Sequence, residues 1–315
     1  MGPETRPRPG DGGSRSVKTF LHPGDYELAS ILNLAPHRKV SGFSVGEQRS
    51  PAVGGGIEFA DYREYAPGDE LRQIDWHVFL RFRKLMVKLA AEEKELTLVV
   101  LIDASASMGY GSPDKLTWAK RLACILAGAA LHGGNRAAIA VMRPGFVEAL
   151  GPERGKASMG ELVRVAGSIK ASGGVVAGER AAGSASATAR QFASRYGRKC
   201  VSAILSDFMY PDWRATIAAL GAGGSEILAL QILAPDELRP DFLGETLLVD
   251  SEDGQETPLH IDAGAAERYR DRLEAFTSDV RAACIGAGIT YSLAPTDGDP
   301  ARLFRSELAG KSFVC

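Results

Sequence analysis

An apolar run from Leu96 to Ile102 carries no charge until Asp103. Runs of this kind, rich in Val, Leu and Ile, read as strands buried on both faces. Ala137–Met142, Val201–Leu205, Ile227–Leu233 and Ile289–Leu293 have the same character. Between them the apolar positions recur every three to four residues, as one face of a helix requires. Leu116, Ala119, Leu122, Ala123, Leu126 and Ala130 form the first such stripe. Ser112-Pro113-Asp114 reads as its start, serine capping and proline in the first helical position, and Gly133-Gly134 as its end. Further helices are expected over Met159–Ile169, Glu179–Tyr196 and Trp213–Leu220. A long one is marked by Tyr269, Leu273, Phe276, Val280 and Cys284, and Leu303–Leu308 closes the chain. Phe146–Leu150 reads as an edge strand returning across Pro144-Gly145. Strand and helix thus alternate from Leu96 onward, the pattern of an α/β doubly wound, mostly parallel sheet with Rossmann-type layers. Residues 235–262 interrupt it as an insertion, with a hairpin expected between Thr246–Val249 and Pro258–Ile261.

The chain before Leu96 is patterned differently. Residues 1–24 are rich in Gly, Pro, Ser and Arg and read as a disordered tail. Tyr26, Leu28, Ile31, Leu32 and Leu34 suggest a short amphipathic helix ending near Pro36. Ser41 to Gly56 is glycine-rich and poorly periodic, so it reads as loop or irregular strand. From Ile57 to Trp76, Glu58, Asp61, Glu64, Asp69 and Asp75 interleave with Arg63, Arg72 and aromatics around a Pro67-Gly68 turn. This is expected to form a β-containing, ion-paired collar, with the Trp76 ring packed on the main domain and Asp75 and Arg72 fixing the turn. The competing reading is a ligand or partner surface. Val78–Leu89 alternates like a strand. The expected organisation is therefore tail 1–24, N-terminal helix and collar 25–95, and main domain 96–315.

A net charge of −2 over 315 residues gives no reason to expect nucleic acid or an anionic membrane as partner. No apolar run is long enough to span a bilayer, and the N-terminus lacks the apolar core of a signal peptide. Cys124, Cys200, Cys284 and Cys315 form no CxxC pair, which suits reduced thiols in a cytoplasmic protein. The five histidines are scattered, which argues against zinc.

The chemistry concentrates where the first strand stops. Asp103, Ser105 and Ser107 alternate with alanines, and the spacing can turn one carboxylate and two hydroxyls to a common point. Such hard oxygen donors suit Mg²⁺ or Mn²⁺. The same residues also suit the cap of a following helix. Ser206-Asp207 closes another buried strand. If the two strands are neighbours, Asp207 reaches the same sheet edge, where ligands of open α/β sheets bind. Other motifs fail. Gly109-Tyr-Gly111 lacks the third glycine of a dinucleotide loop, and Asp114 would repel a pyrophosphate. Gly310-Lys311-Ser312 ends like a P-loop but has Arg305 where its first glycine belongs. No Gly-x-Ser-x-Gly elbow occurs. A phosphohydrolase using Asp103 and Asp207 would want an acid two residues after the nucleophile, where Ser105 stands.

Asp103-x-Ser105-x-Ser107 resembles the metal-ion-dependent adhesion motif of von Willebrand factor A domains. Gly56-Ile-Glu58-Phe59, Tyr62-Arg63-Glu64-Tyr65-x-Pro67-Gly68-Asp69, Ile74-Asp75-Trp76 and Asp103-x-Ser105-x-Ser107-Met108 together resemble the bacterial "domain of unknown function 58" family. The similarity spans roughly Tyr26 to Thr296. It implies a von Willebrand factor A-like fold and a metal held by Asp103, Ser105, Ser107 and Asp207. It also implies a MoxR-type AAA+ ATPase as partner, in the assembly or maturation of a client protein. The adhesion motif usually carries a threonine in a later loop, and Val175 stands in its place, so one oxygen donor is lost. The expectation is a non-enzymatic interaction module, with a metal-dependent phosphohydrolase as its competitor.

Overall fold

The computed structural model describes residues 20–36, 59–67, 69, 71–90, 96–143, 146–171, 184–240, 244–249 and 255–314. In chain order its elements are α1 (Pro23–Ile31), β1 (Phe59–Glu64), α2 (Trp76–Phe82), β2 (Met86–Ala90), β3 (Thr97–Asp103), α3 (Lys115–His132), β4 (Arg136–Arg143) and β5 (Phe146–Arg154). There follow α4 (Met159–Ser168), α5 (Ala185–Tyr196), β6 (Val201–Ser206), α6 (Trp213–Ala222), β7 (Glu226–Leu233) and α7 (Pro235–Leu238). The last are β8 (Gly244–Val249), β9 (Glu256–Ile261), α8 (Ala263–Gly286), β10 (Thr290–Pro295) and α9 (Pro300–Arg302). The chain divides into two compact units, one of residues 1–41 and 96–315, the other of residues 42–95.

The larger unit is built on a six-stranded sheet in the order β10-β7-β6-β3-β4-β5. All neighbours are parallel except β4 and β5, which form the expected antiparallel edge. The continuous apolar runs are explained by cover on both sides. Leu98, Val100 and Ile102 of β3 pack with Leu28 of α1, Leu122 of α3 and Leu162 of α4. Val99 and Leu101 turn the other way, to Phe192 of α5, Ile217 of α6 and Val280 of α8. Strand periodicity of two thus feeds two cores from one sequence run. Helix α3 is buried nearly all round, and α1 lies close against it. A Cβ added at Gly128 would come within 2.9 Å of the Ala29 Cβ. The hairpin expected in the insertion is β8 paired antiparallel with β9.

Several boundaries differ from the sequence reading. The N-terminal helix belongs to the larger unit, not with the collar. Leu28, Ala29 and Leu32 enter its core, and Asp25 takes two hydrogen bonds from Arg121 of α3, at 2.8 and 2.9 Å. Helix α3 is capped by Asp114, which accepts from the Thr117 N–H and hydroxyl, and not by Ser112. Residues 1–19 of the tail, the 41–56 loop, Gly68, Pro144-Gly145 and Val175 lie outside the described residues. The expected tail boundary at residue 24 is too late: Leu21 is buried in the core of the larger unit and α1 begins at Pro23, where the proline suits the first helical position.

In the smaller unit β1 and β2 pair antiparallel. Arg63 grips Asp69 through both guanidinium nitrogens at 2.6–2.7 Å, and this bond holds the Asp69 carboxyl below its usual range. The Val78–Leu89 alternation proves to be helix, then strand. Asp75 caps α2 by accepting from the His77 and Val78 N–H groups, and Arg83, with φ 57°, ends it. Asp75 also accepts from the Tyr62 hydroxyl at 2.7 Å, which ties the start of α2 to β1, while the Pro67 turn is held by Asp69 through Arg63 and the Ala66 N–H. Trp76 is the first residue of α2; it is 54% exposed and its ring stands edge-on to Phe79. Trp76→Ala is therefore expected to cost less than about 1 kcal/mol in urea unfolding, against about 3–5 for a buried aromatic. A loss in the larger range would contradict the exposed placement.

Candidate functional site

The site is set by adjacency of β3 and β6, which brings Asp103 and Asp207 to one end of the sheet. Asp103 is 2% exposed. Its Oδ1 accepts from the Ser105 N–H at 2.9 Å and its Oδ2 from the Ser206 hydroxyl at 2.5 Å. The chain then turns through Ala106–Gly109, pinned by buried Met108. This turn brings the Ser105 and Ser107 hydroxyl oxygens to 3.0 Å of each other. Three of the four residues expected to hold a cation thus share one loop.

Asp207 behaves differently. It is fully buried, and its Oδ2 accepts from the Lys115 ammonium at 2.8 Å. Its Oδ1 accepts from the Met209 N–H at 2.9 Å. Lys115 also donates to Glu237 Oε1 at 2.6 Å. Glu237 is held in turn by the Ala234 N–H at 2.7 Å. The Lys115 side chain is fully buried, with its ammonium 5.9 Å from the Tyr110 ring centre. Phe208, between Asp207 and Met209, has φ 58°, a left-handed conformation that costs a non-glycine residue about 1 kcal/mol or more. It persists because its ring is in the core and its N–H is bound by Ser206 Oγ at 2.9 Å. Gln231 of β7 donates to the Asp207 carbonyl at 3.2 Å and accepts from the Tyr291 hydroxyl at 2.7 Å. A polar chain therefore runs from Asp207 across β7 to β10.

Burial is the main cause of the electrostatics here. It pushes the Asp103 carboxyl up to about 6, with the Asp207 charge adding to the shift and the Ser206 and Ser105 hydrogen bonds opposing it. Burial alone would pull the Lys115 ammonium down, but Asp207 and Glu237 outweigh it and hold Lys115 above its ordinary value.

Lys115, Glu237, Ser206 and Gln231 were not singled out by the sequence. Lys115 left one signal. A lysine in the first turn of a helix opposes the helix dipole, so it needs a special partner.

The donor set at the loop is all hard oxygen and so fits Mg²⁺ or Mn²⁺. Among the described residues no three His, Cys, Asp or Glu side chains cluster for a metal, so a cation here depends on the two serine hydroxyls. Asp207 is already paired with the Lys115 ammonium, whereas the partners of Asp103 are the neutral Ser105 N–H and Ser206 hydroxyl, so Asp103 is the carboxylate left to face a cation.

Comparison with known proteins bears on the family part of the sequence resemblance. The chain is 26% identical over 284 residues to uncharacterized proteins of Mycobacterium bovis and Mycobacterium tuberculosis, covering 87% of this chain and 87% of each relative. Among solved structures it is similar to the conserved hypothetical protein BatB of Bacteroides thetaiotaomicron, with TM-score 0.42, 11% identity, and 68% of this chain and 97% of that one covered. A second is an aerotolerance-related membrane protein of Bacteroides fragilis, with TM-score 0.42, 12% identity, and 69% and 98% covered. Among the described residues of the present chain, no helix is long and apolar enough to cross a membrane. Residues 61–283 match the family described as "Protein of unknown function DUF58", and the chain belongs to that family.

Proposed function

We propose that this protein is a non-enzymatic protein-interaction module of von Willebrand factor A-like build. In it Asp103, Ser105 and Ser107 hold Mg²⁺ or Mn²⁺ and present it to a protein partner. One observation carries the reading. The 3.0 Å between the Ser105 and Ser107 oxygens is about the spacing of adjacent ligands on an octahedral Mg²⁺ with bonds of about 2.1 Å. The cation would supply an open coordination position for a partner's carboxylate. Asp103 brings the formal charge, and its raised proton affinity means that its ionised form lacks a counter-charge that a cation provides. Lys115 keeps Asp207 and Glu237 in place behind the loop.

The phosphohydrolase alternative draws less support. Ser105 stands where the acid two residues after the nucleophile would be, and Asp207 is paired with the Lys115 ammonium, so neither position offers the general acid that reaction needs. The partner class follows from the family resemblance: a MoxR-type AAA+ ATPase, with a client protein assembled or matured by the pair.

The test is calorimetric titration with the purified nucleotide-free ATPase, in Mg²⁺ and in chelator. The expected result is tighter partner binding with Mg²⁺, and no such difference in Asp103→Ala. Cation and partner should strengthen each other by the same factor. Equal affinity in Mg²⁺ and chelator would contradict the reading.

A further inference from the structure

Strand β10 ends the sheet on one side and, among the described residues, pairs only with β7. In the parallel ladder the Thr296 N–H donates to the Leu233 carbonyl at 3.0 Å. Backbone groups alternate in direction along a strand, so those of Ser292 and Ala294 also face β7. Those of Tyr291 and Leu293 face outward along the free edge. Among the described residues neither has a backbone hydrogen bond to a turn or loop. The Leu293 carbonyl has one distant side-chain contact, the Ser292 hydroxyl at 3.5 Å.

A groove of about 1100 Å³ runs beside this edge, between α8 and the closing turn of the chain. That is larger than most small-molecule sites, which hold about 300–1,000 Å³. Arg239, Arg270, Arg281 and Lys311 line it, and all four are exposed. The acids in its wall are Glu274 and Glu307, and Glu307 lies 3.5 Å from Arg302. The groove is thus positive on a chain whose net charge is −2. Half-buried Tyr291 and Leu293 give it an apolar strip.

We propose that this groove binds an extended acidic segment of a partner protein, which adds as a strand to β10 while its carboxylates meet Arg239, Arg270, Arg281 and Lys311. An unpaired edge gives a peptide main-chain hydrogen bonds, and flanking side chains give the choice of sequence. A nucleic acid would match the charge but not the edge. The proposal extends the interaction reading to a surface that does not need the cation.

The test is fluorescence anisotropy on the full chain, in chelator, so that an empty cation loop cannot account for a loss. The probe is a labelled, end-capped peptide of about eight alternating Glu and Val residues, long enough to pair along a strand of typical length. Wild type should bind it. Binding should fall roughly tenfold or more when alternate peptide amides are N-methylated, as loss of main-chain hydrogen bonds requires, and likewise in Arg270→Glu/Arg281→Glu, where charge-assisted hydrogen bonds are lost. A Lys-Val peptide should not bind. Four results would overturn the proposal: no binding of the Glu-Val peptide, an N-methylated peptide that binds as tightly, an unaffected charge-reversed variant, or a single-stranded oligothymidine that binds equally well.

Discussion

Lys115→Met is expected to destabilise the larger unit by about 3–5 kcal/mol, the range for removing one partner of a buried ion pair. The lysine is fully enclosed and answers two carboxylates, Asp207 at 2.8 Å and Glu237 at 2.6 Å. Methionine fills the same space but leaves Asp207 without a counter-charge in the core. The cost should fall when the carboxylates are neutralised with it, in Lys115→Met/Asp207→Asn/Glu237→Gln, because the penalty lies in the stranded charge more than in lost attraction. Urea unfolding at neutral pH reads both. A single variant within about 1 kcal/mol of wild type would mean that water reaches this cluster and screens it.

Asp103→Asn is expected to act in the opposite direction. The folded-state carboxyl titrates at about 6, above the roughly 3.9 of an unfolded chain. A raised acid binds its proton more tightly when folded, so its ionisation penalises the folded state. That penalty is absent below about pH 4, grows as pH rises to about 6, and is full at neutral pH. That difference corresponds to on the order of 3 kcal/mol. The amide carries no charge, so Asp103→Asn should be more stable than wild type at pH 7, and the gap should close towards pH 4. A gap that is constant with pH would show that packing, not ionisation, sets the difference. Mg²⁺ should reverse the order by stabilising wild type alone, by an amount that grows with concentration above its dissociation constant.

How much of this was legible in the sequence follows from the physics of each part. Strands β3, β6 and β7 are covered on both faces, so their apolar runs were unbroken and easy to read. The alternation of strand and helix put the ends of parallel strands on one edge, but the adjacency of β3 and β6 that brings Asp103 and Asp207 together depends on strand order, which alternation leaves open. Lys115 was hidden because its partners lie 92 and 122 residues away in sequence. A lysine after a capping aspartate looks like surface until those partners are placed. In the collar, Val78–Phe82 is too short for periodicity to separate helix from strand. What decided it was local: the Asp75 cap and the left-handed Arg83.

Titration of Mg²⁺ into the metal-free protein by calorimetry tests most directly whether the Asp103 loop holds a divalent cation. One Mg²⁺ per chain is expected in wild type, and none in Asp103→Ala or in Ser105→Ala/Ser107→Ala. Identical heats in wild type and Asp103→Ala, or no binding in wild type, would contradict it and leave Asp103 and its serines as the structural turn that ends β3.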